Sequence, residues 1–440
     1  MSPHRKRRPV VLYQPTDEGW VMPLGLLALG SWLSGEHVVI VDGRFELAPE
    51  SRVVELARGA LCLGVNARTG PGLREALRVS AAARAARADL AIVWGGPHPT
   101  LDPSSCLETG VVDACAAGAG EEALGAAIAA LRAGRSLREV DLLTVVGEEA
   151  SDPAPPPTTL WPRADYTLLD LERHFESRGG RRLDYCSSRG ARDGTTWMGI
   201  RAGRVVAETR ELSERYRLAE VLFRDEDFFA DPERVDAIAL GLLEGGPLHW
   251  QGGARPEDVL AAGPERLRLV AESGCRRLRL DVRPGVPARD LLLEAGSRLH
   301  AAGLAARFTF DVMEAGEGVD SLKCAVSVAR SLSALDDRFE TPIRRVPDLR
   351  PGGAPSLEDW AARAEAPWSD RRAERRRARA TFYFGEAQRD PGRRVSKHVV
   401  RLLALVRVRL GFFRLDLDRL AVEAAAVLRT GRARRSPRRD

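Results

Sequence analysis

Between residues 9 and 148 the chain repeats one phrase: a short apolar run, a turn of small residues, then a longer stretch with helical spacing. The runs are Val10-Val11-Leu12-Tyr13, Val38-Val39-Ile40-Val41, Leu61-Cys62-Leu63-Gly64-Val65, Leu90-Ala91-Ile92-Val93-Trp94 and Val112-Asp113-Ala114-Cys115-Ala116. Runs this short and rich in β-branched residues, separated by helices, predict a parallel, doubly wound (Rossmann-like) sheet covered on both faces. Ligands of such sheets sit at the carboxyl ends of the strands. Those ends carry Gln14-Pro15-Thr16, Asp42-Gly43, Asn66 with Thr69 and Gly70, Gly95-Gly96-Pro97-His98-Pro99-Thr100, and Gly118-Ala119-Gly120-Glu121. Glycine allows close backbone approach there, and hydroxyl and amide groups can bond a ligand.

A second series begins near residue 211. Helical spacing at 212–217, 232–244, 264–274 and 288–302 alternates with extended runs at 220–223, 248–251, 278–282 and 306–310. Repeated βα units predict a parallel β/α barrel or part of one, with its active face at the strand C-termini. The prolines of residues 153–157 read as a stiff connector. The expected organisation is therefore an α/β domain at 9–148, a linker at 149–182, barrel-like units at 183–350 and a helical region at 351–440. In the last, residues 355–360 read as a capped helix start, and 371–380 and 399–428 read as charged helices.

Composition narrows the class. The 440-residue chain is 44% hydrophobic, enough for several buried cores. Its net charge of +5 is small against 67 basic and 62 acidic residues, and much of it lies in the tails at 4–8 and 432–439. Such tails read as solvated extensions, so no nucleic-acid partner is expected. The six cysteines are widely spaced with no C-x-x-C, which fits a reduced cytoplasm. No run reaches the length of a transmembrane segment.

Residues 183–200 carry the most specific pattern. A short extended run, Leu183 to Cys186, leads into Ser188-Arg189-Gly190. With the five strand-end elements in register before it, this resembles the radical S-adenosylmethionine (SAM) proteins that carry a cobalamin-binding domain. The resemblance covers nearly the whole chain. It implies a corrinoid over the first five strand ends, near Asn66, Thr69, Gly70, Gly95, Gly96, His98, Thr100, Gly118, Gly120 and Glu121. A D-x-H-x-x-G box is absent, which implies a cobalt without a histidine on its lower face. His98, between two prolines, reads more simply as a loop-locking residue than as a ligand.

The family's C-x3-C-x2-C motif departs here, because its three places hold Ala191, Thr195 and Met198. A four-iron cluster needs thiolates, so no 4Fe-4S cluster is expected on this loop. Contacts to SAM are also eroded: Arg283-Pro284-Gly285 replaces a Glu-Ser-Gly, and 311–317 departs from the usual turn. Asp225, Asp227 and Gln251 are what remains on the SAM-facing strand ends. The acids at 225–227 and 231 could also hold a cation, but such runs more often cap a helix. Cys186 reads as a packed thiol and not a nucleophile.

Three functions stay open on this reading. The chain is expected to be a non-radical, cluster-less pseudoenzyme that binds cobalamin and pairs with an intact radical SAM homologue or pathway protein. Alternatively it is a cobalamin- or SAM-dependent enzyme using polar chemistry such as methyl transfer. The third reading is an iron-sulfur enzyme with displaced ligands, for example Cys186, Cys275 and Cys324.

Overall fold

The computed structural model describes residues 8–16, 21–70, 72–149, 162–190, 197–246, 248–282, 289–312, 318–336, 338–345, 356–365, 404 and 406. Contacts divide the chain into two compact units. One runs to Gly252 and takes in a helix at Leu357–Glu365; the other begins at Gly253.

The first unit opens with β1 (Val10–Gln14), α1 (Leu24–Trp32), β2 (Val38–Asp42), α2 (Pro49–Ala57), β3 (Cys62–Asn66), α3 (Gly72–Ala86) and β4 (Ala91–Gly95). Two short helices, α4 (Pro97–Leu101) and α5 (Pro103–Leu107), precede β5 (Ala114–Ala116), α6 (Gly120–Arg132) and β6 (Thr144–Val145). The sheet order is β2-β1-β3-β4-β5-β6, parallel except for β6. The strands fall within a residue or two of the apolar runs. Alternation along β1 divides the core: Val11 and Tyr13 pack with Val65, Trp94 and Val79, while Val10 and Leu12 pack with Leu26, Leu124 and Ile128. Both faces are covered, which is why these strands carry no polar alternation.

The same unit continues through α7 (Leu171–Ser177), β7 (Arg182–Tyr185), β8 (Ser188–Arg189), β9 (Met198–Gly199), α8 (Ala202–Tyr216), β10 (Glu220–Phe223), α9 (Pro232–Glu244) and all but the last residue of β11 (Trp250–Gly253). Strands β7, β10 and β11 are parallel neighbours. The Asp231 side chain accepts from the Arg234 amide and Pro232 occupies the first turn, so two helix-start preferences set the entry to α9. Helix α8 begins well before its expected start, because its buried face is made of Val205, Glu208 and Thr209, a mixed polar set that conceals the periodicity.

The second unit holds α10 (Pro256–Glu272), β12 (Cys275–Val282), α11 (Arg289–Ala301), β13 (Ala305–Val312), α12 (Gly318–Leu335) and β14 (Ile343–Arg345). Its strands are parallel, with Leu280 opposite Phe308 and Phe310 opposite Ile343. Gly263 takes φ 71° and, just before Pro264, breaks α10 into two helices. Helix α13 (Leu357–Glu365) starts at Ser356, whose hydroxyl accepts from the Asp359 amide, and it joins the first unit. Leu357, Trp360 and Ala361 enter the same core as Val11, Tyr13 and Trp94. The fold is thus mixed α/β, a doubly wound domain followed by parallel βα units.

Residues 165–177, inside the expected linker, are ordered by local caps: Asp165 accepts from the Thr167 amide and Asp170 from the Arg173 amide. The proline run at 153–157, the turns at 283–285 and 313–317, and the expected helices at 371–380 lie outside the described residues, as do all but two residues of 399–428. Among the described residues no helix is long and apolar enough to cross a membrane.

Candidate functional site

A cavity of about 530 Å3 opens within the first unit, over the carboxyl ends of its leading strands. One wall is backbone and small side chains: Gly64, Asn66, Gly95, Gly96, Ala116 and Gly120. The opposite side comes from Tyr185, Cys186, Arg189, Glu208 and Arg224, and α1 supplies an apolar flank through Leu24 to Leu29. Two of the glycines leave little room for a side chain, and at Gly96 the backbone conformation itself favours glycine. A Cβ at Gly64 would stand 2.8 Å from the Leu12 side chain, and one at Gly96, where φ is 98°, would overlap the Asn66 amide oxygen. The result is a largely apolar wall of backbone and small side chains with a few polar groups beside it, the make-up of a small-molecule or cofactor site.

Behind this wall lies a polar clamp. Thr100 Oγ1 donates to the Gly96 carbonyl at 2.9 Å and accepts from the Gly118 amide at 2.9 Å, so one hydroxyl ties two glycine loops together. The His98 ring is fully buried between Thr69 Oγ1, 3.0 Å from Nδ1, and Ser105 Oγ, 3.3 Å from Nε2. Burial lowers its pKa from 6.5 to about 4, so the ring is neutral. It does not line the cavity, in keeping with a loop-locking role. Asn66 Nδ2 donates to Gln14 Oε1 at 2.7 Å.

The opposite side is built on buried charge. Asp184, with no exposed surface, accepts from Arg224 Nε at 2.6 Å, from Arg178, and from the Met22 amide at 2.7 Å. Burial raises its pKa, yet the two guanidiniums and the hydrogen bonds outweigh this and hold the carboxyl below its usual range. Asp225 Oδ1 accepts from Ser187 N at 3.0 Å, from Ser187 Oγ at 2.8 Å and from Ser188 Oγ, fixing the turn before Arg189. Here burial wins and the pKa is raised. Burial, with Asp225 nearby, also pushes the Cys186 thiol up to about 12, which keeps it protonated. The Tyr185 hydroxyl donates to Glu208 Oε2 at 2.6 Å.

Of the residues expected around the ligand, Asn66, Gly95, Gly96, Gly118, Gly120 and Glu121 line the cavity. Thr69, His98 and Thr100 stand behind it, and Gly70 is off the wall with φ 142°. Asp225 lies beneath the Ser188 turn. Asp227 is buried and its carbonyl accepts from Trp197 Nε1, while Gln251 donates to Glu220 at 3.0 Å; neither lines the cavity. Ala191 and Thr195 lie outside the described residues, and Met198 pairs with Arg189 in the β8–β9 ribbon. Among the described residues no three of His, Cys, Asp or Glu gather as a metal-ligand set. Cys275 is buried on β12 and Cys324 is exposed on α12. Glu208 and Arg224 were not anticipated. A glutamate on the Val205–Thr209 face of an amphipathic helix was the signal for the first.

Fold and cavity together define a doubly wound α/β domain with a ligand-sized cavity over its strand ends, followed in the chain by parallel βα units. Residues 16–128 match the B12-binding domain family. The chain is 27% identical over 287 residues to an uncharacterised methyltransferase of Pyrococcus horikoshii, covering 60% of this chain and 61% of that protein's length. Among solved structures, the radical SAM methyltransferase TsrM from Kitasatospora setae, with cobalamin and a [4Fe-4S] cluster bound, superposes with a TM-score of 0.62 at 14% identity over 81% of this chain and 85% of that one. The cobalamin-dependent SAM radical enzyme OxsB, with aqua-cobalamin and SAM bound, gives 0.59 at 18% identity over 77% and 53%. The chain is therefore similar in fold to these cobalamin-dependent radical SAM enzymes, and its residues 16–128 match the B12-binding domain family.

Proposed function

We propose that this protein holds a corrinoid in the cavity and works without reductive cleavage of SAM, as a non-radical component of a biosynthetic reaction. The carrying observation is the glycine-built wall over the strand ends, set within the span that matches the B12-binding family. Gly64, Gly95, Gly96 and Gly120 would face the macrocycle, and Asn66, Glu121 and Arg189 would meet polar groups at its edge. When bound, a corrinoid supplies the cobalt chemistry of methyl transfer. The residues of this chain orient it, exclude water through α1 and Tyr185, and keep Cys186 as a neutral thiol. Among the described residues that line the cavity there is no histidine, so the groups that would hold a corrinoid there are backbone, amide, carboxylate and guanidinium.

A four-iron cluster does not fit the donor set of the loop. Alanine has no donor atom, threonine offers only a hydroxyl, and Met198 brings a neutral thioether.

Among non-radical roles, polar methyl transfer is favoured over a purely structural subunit by the ionic groups at the cavity, Glu208, Arg224 and Glu226, and by the methyltransferase relatives. Adding hydroxocobalamin tests the binding proposal, because a ligand that binds only the folded state raises its melting temperature. The Gly120→Leu variant supplies the control. A Cβ there meets only Leu29, at 3.5 Å, so the chain should fold, while the larger side chain fills the cavity and removes the shift.

A further inference from the structure

Helix α13 is separated by about 250 residues of sequence from the loops behind the cavity wall, yet Trp360 is buried against them. Its indole Nε1 donates to Asp102 Oδ2 at 2.8 Å, and its ring meets the His98 ring edge-on with centroids 5.7 Å apart. Asp102 also accepts from the Ser105 amide at 3.1 Å, which starts α5. The His98 amide donates to the Ala67 carbonyl at 3.0 Å, and the His98 side chain reaches Thr69. Two residues on, Thr100 links the Gly96 carbonyl to the Gly118 amide. One continuous set of contacts therefore runs from α13 through His98 and Asp102 to glycines of the cavity wall. All of it lies within the first unit.

The loops could not hold this arrangement by local preference alone. Gly96 and Gly118 sit at φ 98° and 74°, conformations that glycine permits without favouring one over the alternatives. The Pro97-His98-Pro99 helix is a little over one turn long, too short to be stable unaided. Something outside must fix it, and Trp360 covers it with the largest side chain available.

We propose that α13 is a clamp on the ligand-facing loops and that Trp360 is its positioning residue, setting corrinoid affinity from a distance by ordering Gly96 and Gly118. This rests on the corrinoid reading above. The clamp resembles no ligand contact, since Trp360 does not line the cavity.

The test uses the full chain with Trp360→Ala and Trp360→Phe, and reads two quantities. Hydrogen exchange without ligand should show the His98 and Gly118 amides exchanging about tenfold faster in Trp360→Ala. Trp360→Phe keeps the ring on His98 but loses the bond to Asp102, and should give an intermediate rate; it remains informative if the alanine variant does not fold. Hydroxocobalamin titrated by absorbance should bind Trp360→Ala about tenfold more weakly than wild type, with Trp360→Phe recovering part of the loss. Faster exchange confined to residues 356–365, or unchanged affinity in a folded variant, overturns the clamp. If wild type takes up no hydroxocobalamin, the corrinoid reading fails instead, and exchange at His98 and Gly118 still decides whether α13 orders the loops.

Discussion

The Arg189 guanidinium is ion-paired with the Glu121 carboxylate, joining the turn after β7 to the first turn of α6 on the rim of the cavity. Glu121 is only 5% exposed, and Arg189 is the ion-pair partner that meets its buried carboxylate. The first turn of α6 adds favourable dipole, which accounts for an acid at this place. Removing the arginine leaves a buried carboxylate short of a partner. Arg189→Ala should destabilise the protein by about 1–3 kcal/mol, and Glu121→Gln combined with it should recover part of the loss. Urea denaturation of the two single variants and the double variant measures this coupling.

Asp184 should be the costlier residue to lose. It neutralises Arg178 and Arg224 together and anchors the Met22 amide ahead of α1. Asp184→Asn leaves two largely buried guanidiniums without their shared charge and is expected to cost about 3–5 kcal/mol. Because its folded pKa lies below the ordinary value, the stability it contributes is present above pH 3.8 and is lost as pH falls through the folded value. Wild type should therefore lose stability there more steeply than the variant, as followed by urea midpoints.

His98 and His174 predict a second pH dependence at milder acidity. Burial lowers both from 6.5 to about 4, with Asp102 opposing the shift at His98 and Asp42 at His174. A depressed histidine means that the unfolded chain takes up protons first. Stability should be unaffected by these groups above about pH 6.5, fall between there and pH 4, and level off below. His98→Gln should flatten part of that slope in thermal melts. Since His98 does not line the cavity, the absorption spectrum of bound hydroxocobalamin should not change with it.

The cysteines give a chemical check on the same geometry. Cys324 is exposed, Cys186 is half-buried with its thiol donating to the Ser188 carbonyl at 3.0 Å, and Cys62, Cys106, Cys115 and Cys275 are buried. Reaction needs a thiolate and access. Iodoacetamide at pH 8 should label Cys324 well before Cys186, as peptide mass spectrometry would show. Rapid labelling of Cys186 would mean that the turn at Ser187 and Ser188 is open.

The strand ends were legible from sequence because doubly wound sheets place glycine and hydroxyl residues where ligands go, and six of the expected residues do line one cavity. Three others, Thr69, His98 and Thr100, lie one layer back. Sequence order alone does not separate a wall from its support. Glu208 and Arg224 were hidden because their importance comes from the side of the fold they share with Tyr185 and Asp184, not from a local motif. Trp360 was likewise read only as part of a helix start. Its contact with His98 spans most of the chain and leaves no periodic trace. The β8–β9 ribbon was missed because two-residue strands fall below any hydrophobic alternation.

The central claim is a corrinoid held without a cubane cluster, and metal analysis after anaerobic reconstitution with iron, sulfide and hydroxocobalamin tests it most directly. About one cobalt per chain with iron near zero is the predicted result. About four irons per chain, with or without cobalt, would contradict it.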